Sequence, residues 1–357
     1  MDLQPVTLII PAYNESPVLL EKIQNTLDLD YPRQLLTVIV VTDGSDDGSE
    51  RSIGQFQGFI HLHDPVRKGK FAAIKRAMSK VNTPIVIFSD ANALLNRESI
   101  DRIVKHYADP GVGAVAGEKK IVDVYHRSGV GEAEGFYWKY ESFMKRLDAG
   151  FNTVVGAAGE LFSIRTALFK EWNDEIILDD FWLSMNCSLS GYRIAYEAGA
   201  YAVEMPSASL QEEEKRKVRI AAGSYQAIAL LKECLNFFKH PQLAFQYFSR
   251  RLLRWVFCPW FILGLFISNF LIAIEDEWMT VYDWLFYGQV LFYALAIIGW
   301  LIVQQGKKAG ILSIPFYFLF MNYCLVKGFF RFLHGSQTAL WEKSVRIGKS
   351  QQGMLNH

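Results

Sequence analysis

Three short runs of β-branched and aliphatic residues constrain the fold of this chain more than any other feature. They are Val6-Thr7-Leu8-Ile9-Ile10, Thr37-Val38-Ile39-Val40-Val41 and Ile85-Val86-Ile87-Phe88. An unbroken run, unlike an alternating one, suits a parallel strand buried on both faces. Helical patterns lie between the runs, over roughly 17–29 and 70–80, together with a shorter strand at Phe59–Leu62. Asp46 and Asp47 can cap the helix that follows them. Strands and helices alternating at this spacing imply a doubly wound α/β sheet, in which ligands sit beyond the carboxyl ends of the strands. Each main run is closed by a polar motif: Pro11-Ala12-Tyr13-Asn14-Glu15, Asp43-Gly44-Ser45 and Ser89-Asp90-Ala91-Asn92. These motifs are expected to converge on one crevice. No GxGxxG or GxxxxGK[ST] occurs, so neither a dinucleotide fingerprint nor a P-loop is supported.

After residue 110 the pattern loosens. Glu132–Leu147 reads as an amphipathic helix, and Gly156-Ala157-Ala158-Gly159 as a small-residue turn before a strand at Leu161–Ile164. That turn is either a tight corner alone or a place where a substrate approaches the backbone closely. Glu212–Leu235 has a long helical pattern with its charges crowded into the first turns. Phe237–Arg254 mixes aromatics with His240, Arg250, Arg251 and Arg254, a composition that suits a helix lying in a membrane interface.

Beyond Arg251 the chain is mostly apolar and aromatic. Segments at 252–274 and 284–303 are long enough to span a bilayer, and a shorter one covers 311–326. The expected organisation is an α/β domain over 1–235, an interfacial helix over 236–251, a membrane domain over 252–333 and a basic tail over 334–357. Glu275-Asp276-Glu277 between the first two segments is acidic, and Lys307-Lys308 between the second and third is basic. The positive-inside rule puts the first loop outside and the second inside, beside the α/β domain. Lys327, Arg331, Lys343, Arg346 and Lys349 would also prefer the inside, yet three full crossings would place the tail outside. A re-entrant third segment would resolve the conflict. Met1–Pro5 has neither a basic n-region nor a long apolar h-region, so the α/β domain is expected in the cytoplasm of a multi-pass inner-membrane protein.

Lys+Arg and Asp+Glu balance at 37 each, so no overall charge points to nucleic acid. The four cysteines, Cys187, Cys234, Cys258 and Cys324, are isolated and read as buried thiols. The seven histidines show no zinc spacing.

Two further motifs, Asp179-Asp180 and Arg216-Lys217-Val218-Arg219-Ile220, complete an order that resembles the inverting family 2 glycosyltransferases. The likeness is to the membrane-bound branch of cellulose, hyaluronan and poly-N-acetylglucosamine synthases. It implies a GT-A, Rossmann-like catalytic domain that moves a sugar from a nucleotide-sugar, expected to be a UDP-sugar, to a lipid-linked or polysaccharide acceptor at the cytoplasmic membrane face. Pro11, Tyr13, Asn14, Glu15, Asp43, Lys70, Asp90 and Arg219 would bind the donor. Asp90-Ala91-Asn92 resembles the family's DXD motif, with Asn92 for the second acid. Both residues would face Mg2+ or Mn2+, hard ions suited to oxygen ligands. Leu178-Asp179-Asp180 resembles the TED motif, whose last acid is the general base, here Asp180. Asp179, Gly159 and Arg216 would take acceptor-side or secondary roles. Arg219 matches the arginine of the QXXRW motif, whereas Arg216 replaces its Gln and Ile220 its Trp. In processive synthases that Trp holds the acceptor sugar.

Bland alternatives stand beside several of these roles. Asn14 and Glu15 can simply cap a helix. Asp43 can be a turn residue, Lys70 a solvated charge and Asp179-Asp180 a helix start. The rival functions are a processive synthase that translocates its own polymer, as an oligomer or with a translocation partner, and a non-catalytic membrane-anchored binder of sugar nucleotides or glycans.

Overall fold

The computed structural model describes residues 3–54, 56–122, 129–172, 175–275 and 280–335. Most of the basic tail and part of the acidic loop lie outside them. The apolar runs form β1 (Val6–Ala12), β2 (Leu36–Asp43) and, after α1 (Ser16–Leu27), α2 (Ser49–Ile53), β3 (Phe59–Asp64) and α3 (Lys70–Met78), the strand β4 (Ile85–Phe88). Then follow β5 (Leu94–Leu95), α4 (Ser99–His106), β6 (Val112–Ile121), α5 (Gly129–Phe151), β7 (Phe162–Arg165), α6 (Asp179–Leu189), β8 (Arg193–Glu204) and α7 (Leu210–Leu230).

Eight strands make one sheet in the order β3-β2-β1-β4-β7-β6-β8-β5. The runs pair in parallel, Ile9 facing both Ile39 and Phe88. This register brings the ends of β1, β2 and β4 to one edge, as the crevice argument requires. The second half departs from a purely parallel sheet. β7 runs antiparallel to both β4 and β6, and β5 antiparallel to β8. Apolar clusters cover both faces. One includes Phe71, Phe162, Phe181 and Trp182, the other Leu19, Ile23, Ile100 and Tyr107.

The C-terminal part is helical: α8 (Pro241–Tyr247), a wider π-helical stretch (Phe248–Phe257), α9 (Cys258–Glu275), α10 (Val281–Gln304) and α11 (Ser313–Leu333). Among the described residues, three stretches are long and apolar enough to cross a membrane: Pro241–Ile274, Val281–Gln304 and Gly310–Leu333. α11 runs unbroken to Leu333, past the expected end at 326. It packs on α7 so closely that a Cβ on Gly328 would lie 2.4 Å from the Ala221 methyl. A third apolar cluster, with Val130, Ala133, Val218, Val303, Phe316 and Phe320, joins α5 and α7 to α10 and α11.

Arg250, Arg251 and Arg254 of the expected interfacial segment turn inward. Arg250 binds Asp148 at 2.8 Å and Glu141 at 3.2 Å, and Arg254 binds Glu141 at 2.8 Å. Their partners lie on α5, which is inside-out. It buries Glu134, Glu141, Lys145 and Asp148 and exposes Phe136, Tyr140, Phe143, Leu147 and Phe151 at helical spacing. Exposed Lys139 and Arg146 flank that apolar stripe, and Phe151 meets exposed Phe245 of α8.

Candidate active site

A cavity of about 1360 Å³ opens at the sheet edge and continues between the C-terminal helices. Its polar end is lined by Pro11, Tyr13, Glu15, Lys70, Asp90, Asn92, Asp180 and Arg219. Its apolar end is lined by Phe261 and Leu265 of α9 and by Phe318 and Met321 of α11.

The end of β1 is tied to the loop after β2. Asn14 adopts a left-handed φ of 52°, and its amide exchanges hydrogen bonds with Asp46, Nδ2 donating to Oδ1 at 2.8 Å and Oδ1 accepting the Asp46 N–H at 3.0 Å. Asn14 therefore braces the two loops, while Tyr13 and Glu15 reach the cavity wall. Arg67 stacks over the Tyr13 ring at 3.9 Å. It is held close by Gly44, where a Cβ would lie 2.6 Å from the Arg67 Cβ.

Asp43 is fully buried and is absent from the cavity wall. Its carboxylate accepts the N–H groups of Lys68 (3.0 Å) and Gly69 (2.7 Å) and pairs with Arg76 at 3.3 Å. In this structure it shapes the loop that delivers Lys70. Gly69, at φ 102°, turns that loop into α3.

Lys70 Nζ lies 2.7 Å from Asp90 Oδ1. Burial disfavours the Lys70 charge, but Asp179, Asp90 and Asp180 outweigh it and hold the ammonium above its ordinary range. Burial pushes the Asp90 carboxyl up, against the pull of Lys70.

Asp179 and Asp180 open α6 from the first turn, where free N–H groups favour carboxylates. Asp180 Oδ1 accepts the Phe181 N–H at 2.8 Å. Burial first, and the adjacent Asp179 second, push the Asp180 carboxyl from 3.8 up to about 7. Asp180 is thus poised to exchange a proton near neutrality. Gly159 lies between the two charged groups: a Cβ there would sit 2.8 Å from Lys70 Nζ and 3.3 Å from Asp180 Oδ2. The small-residue turn is needed for this close approach, and Gly156, at φ 87°, is needed for the corner itself.

Arg216 lines the cavity but is engaged by Glu134 and by Glu213. It builds the wall as part of a buried ion cluster that also includes Lys217, 3.6 Å from Glu213. Arg219 and Ile220, one turn on, also line the cavity.

Glu160 and Lys145 line the cavity without a role assigned to them from the sequence. Glu160, next to Gly159, pairs with Lys119, which also binds Glu204 at 2.6 Å. Lys145 is buried at the wall, and burial pulls its amine below the ordinary value. Trp138 presents its ring to Lys119 (4.9 Å) and Lys145 (5.7 Å). The amphipathic pattern placed Trp138 and Lys145 on a helix, whereas Glu160 falls in the turn before β7.

Among the described residues, no cluster of three or more His, Cys, Asp or Glu could hold a metal ion alone. Asp90 and Asn92 nevertheless offer a carboxylate and an amide oxygen at the cavity wall. One carboxylate with substrate phosphates and water is an ordinary Mg2+ environment, so these residues fit an ion that arrives with a diphosphate.

The model of glycosyl transferase family 2 matches residues 7–172. Poly-beta-1,6-N-acetyl-D-glucosamine synthases of Staphylococcus aureus are 26% identical over 239 residues, covering 64% of this chain and 56% of theirs. A beta-monoglucosyldiacylglycerol synthase from Synechocystis sp. is 28% identical over 205 residues, covering 53% of this chain and 41% of that enzyme. The chain spans about half the length of these curated relatives. A mannosyltransferase from Pyrobaculum calidifontis, solved with GDP-Man and Mn2+, shares the fold with a TM-score of 0.72. That likeness is at 21% identity and covers 94% of this chain and 89% of that one.

Proposed function

We propose that this chain, whose N-terminal domain belongs to glycosyltransferase family 2 and resembles its membrane-bound synthases, is an inverting enzyme that uses a nucleotide-sugar donor, expected to be a UDP-sugar. The acceptor is a lipid-linked sugar or a glycan. The observation that carries this reading is Asp180, poised near neutrality in the same cavity as the Lys70–Asp90 pair.

Asp180 takes the proton of the acceptor hydroxyl as its oxygen attacks the anomeric carbon. The bond from that carbon to the diphosphate breaks on the opposite face, which inverts configuration. Lys70 and Arg219 offset the charge that develops on the leaving diphosphate, Arg219 through a planar fork of donors. Bound Mg2+ or Mn2+ would add to that charge neutralisation, and Asp90 and Asn92 would hold it. Gly159 lets the Lys70 ammonium and the Asp180 carboxylate approach its backbone at the cavity wall.

The membrane supports this reading in two ways. The cavity's apolar end fits a lipid tail, and a bilayer anchor raises the effective concentration of such an acceptor. The exposed aromatic stripe of α5, flanked by Lys139 and Arg146 and continuous with α8, suits the surface of the same bilayer. In this proposal the catalytic domain over 1–235 faces the cytoplasm at the inner membrane, and the apolar helices after it are the anchor.

The test is nucleoside diphosphate release across a panel of nucleotide sugars, with the purified protein in native lipid. Release of UDP or GDP that depends on both one donor and an added acceptor supports transfer. Tight binding of a sugar nucleotide with no release under any condition would favour the non-catalytic rival.

A further inference from the structure

The Asp90-Ala91-Asn92 turn is gripped from behind by α1. Lys22, fully buried in that helix, donates from Nζ to Ser89 Oγ at 2.7 Å and to the Ala93 carbonyl at 2.5 Å. These two groups bracket the turn, which is closed by the Ala93 N–H on the Asp90 carbonyl at 3.1 Å. Asn25, on the same face of the helix, takes both backbone groups of Leu95. Its Nδ2 donates to the carbonyl at 2.8 Å and its Oδ1 accepts the N–H at 2.8 Å. Ser89 Oγ in turn donates to the Glu160 carbonyl at 3.0 Å, beside Gly159. One buried amine thus reaches both ends of the Asp90–Asn92 turn and, through Ser89, the loop that faces Asp180.

A buried ammonium is costly unless it is paired. Among the described residues no carboxylate lies within ion-pair distance of Lys22; Asp90 and Glu204 act on it only from further away. Burial pulls the Lys22 amine from 10.5 down to about 7, and an apolar side chain of the same length would fill the space without that cost. The amine's contribution is to satisfy a buried hydroxyl and a buried carbonyl while holding them at one spacing. The same helix begins at the donor-facing residues, with Glu15 at its N-cap.

We propose that Lys22, backed by Asn25, is a positioning residue for metal–diphosphate binding: it fixes the spacing of the Asp90 carboxylate and the Asn92 amide and locks their turn to the Gly159 loop. This rests on the reading of Asp90 and Asn92 as metal-facing. Neither residue touches the reacting atoms, so the effect should appear in metal dependence and not as a general loss of fold.

The experiment titrates UDP, and GDP in parallel, into the full chain in detergent by calorimetry, in EDTA and over a range of Mn2+ concentrations. Lys22→Met keeps the side-chain length and removes both hydrogen bonds. Loss of such outer-shell partners typically weakens metal binding by about 10–100-fold. The Mn2+ concentration that gives half of the affinity gain should therefore rise by about tenfold or more, with affinity in EDTA unchanged. An unchanged Mn2+ dependence in Lys22→Met would overturn the proposal, as would equal losses with and without metal. Asn25→Ala, which removes the second grip, should move the same midpoint by a smaller factor. If Lys22→Met does not fold, an unmoved midpoint in Asn25→Ala overturns the proposal alone. A native protein that binds both diphosphates equally with and without Mn2+ would instead reject the metal reading beneath it.

Discussion

Replacing Asp180 by asparagine should slow turnover sharply and make the protein harder to unfold. The isosteric amide cannot accept the acceptor proton, so kcat should fall by about 10²–10⁴-fold, the usual contribution of a general base. Donor affinity should survive, because Lys70, Asp90 and Arg219 are untouched. The stability effect follows from linkage. A carboxyl raised from 3.8 to about 7 on folding is ionised in the unfolded chain before it ionises in the folded one. Below 3.8 both states are protonated and there is no cost. From there to about 7 the folded state loses ground with each unit of pH, and above 7 the loss is constant. At about 1.4 kcal/mol per unit, the shift corresponds to a ceiling of about 4 kcal/mol at pH 8. Water reaching the group from the cavity brings the real figure below that. The substituted amide carries no charge, so the thermal midpoint of Asp180→Asn in detergent should exceed the native one at pH 8 and approach it by about pH 4–5. The native pH–rate profile should rise with pH through a midpoint near 7, as the base ionises. Near-normal turnover in Asp180→Asn would refute the general-base assignment. A variant less stable than the native protein at pH 8 would refute the electrostatic argument.

Three other outcomes are expected. Gly159→Ala places a methyl 2.8 Å from Lys70 Nζ; it should displace the amine and cut kcat by at least about tenfold with little change in melting temperature, since one misplaced group can cost about 10²-fold, and a fully active variant would show that the approach is not used. EDTA should abolish nucleotide release, with Mg2+ or Mn2+ restoring it; full activity in chelator would leave Lys70 and Arg219 to neutralise the leaving group alone. With Ile220 in place of a stacking aromatic, products made with excess donor and scarce acceptor should be short by mass analysis; long polymers beside unextended acceptor would show processive synthesis, with cavity-lining Trp138 as the first aromatic to mutate.

The main strands of the N-terminal half were legible in the residues alone. Val6–Ile10, Thr37–Val41 and Ile85–Phe88 are short, apolar and mostly β-branched, which favours strands buried on both faces, and they pair in parallel. From that alone, Asp90 and the residues around Tyr13 had to meet at one sheet edge. The apolar stretches of the C-terminal third were legible for the same reason, since burial in lipid needs length and composition only. Tertiary structure decided what depends on partners distant in the chain. β7 enters antiparallel between β4 and β6, a choice its own residues do not encode. Asp43, equally able to hold a ligand or a loop, is used by the N–H groups of Lys68 and Gly69. Periodicity showed that α5 has two faces but not which one is inside. Its acids turn inward because Arg250 and Arg254 arrive there from more than a hundred residues away. Lys22 looked like any helix lysine until the turn after β4 was folded over it. Local pattern reports how much of a segment is buried. Only the packed fold decides which groups a buried charge meets, and the chemistry of this site lies in those meetings.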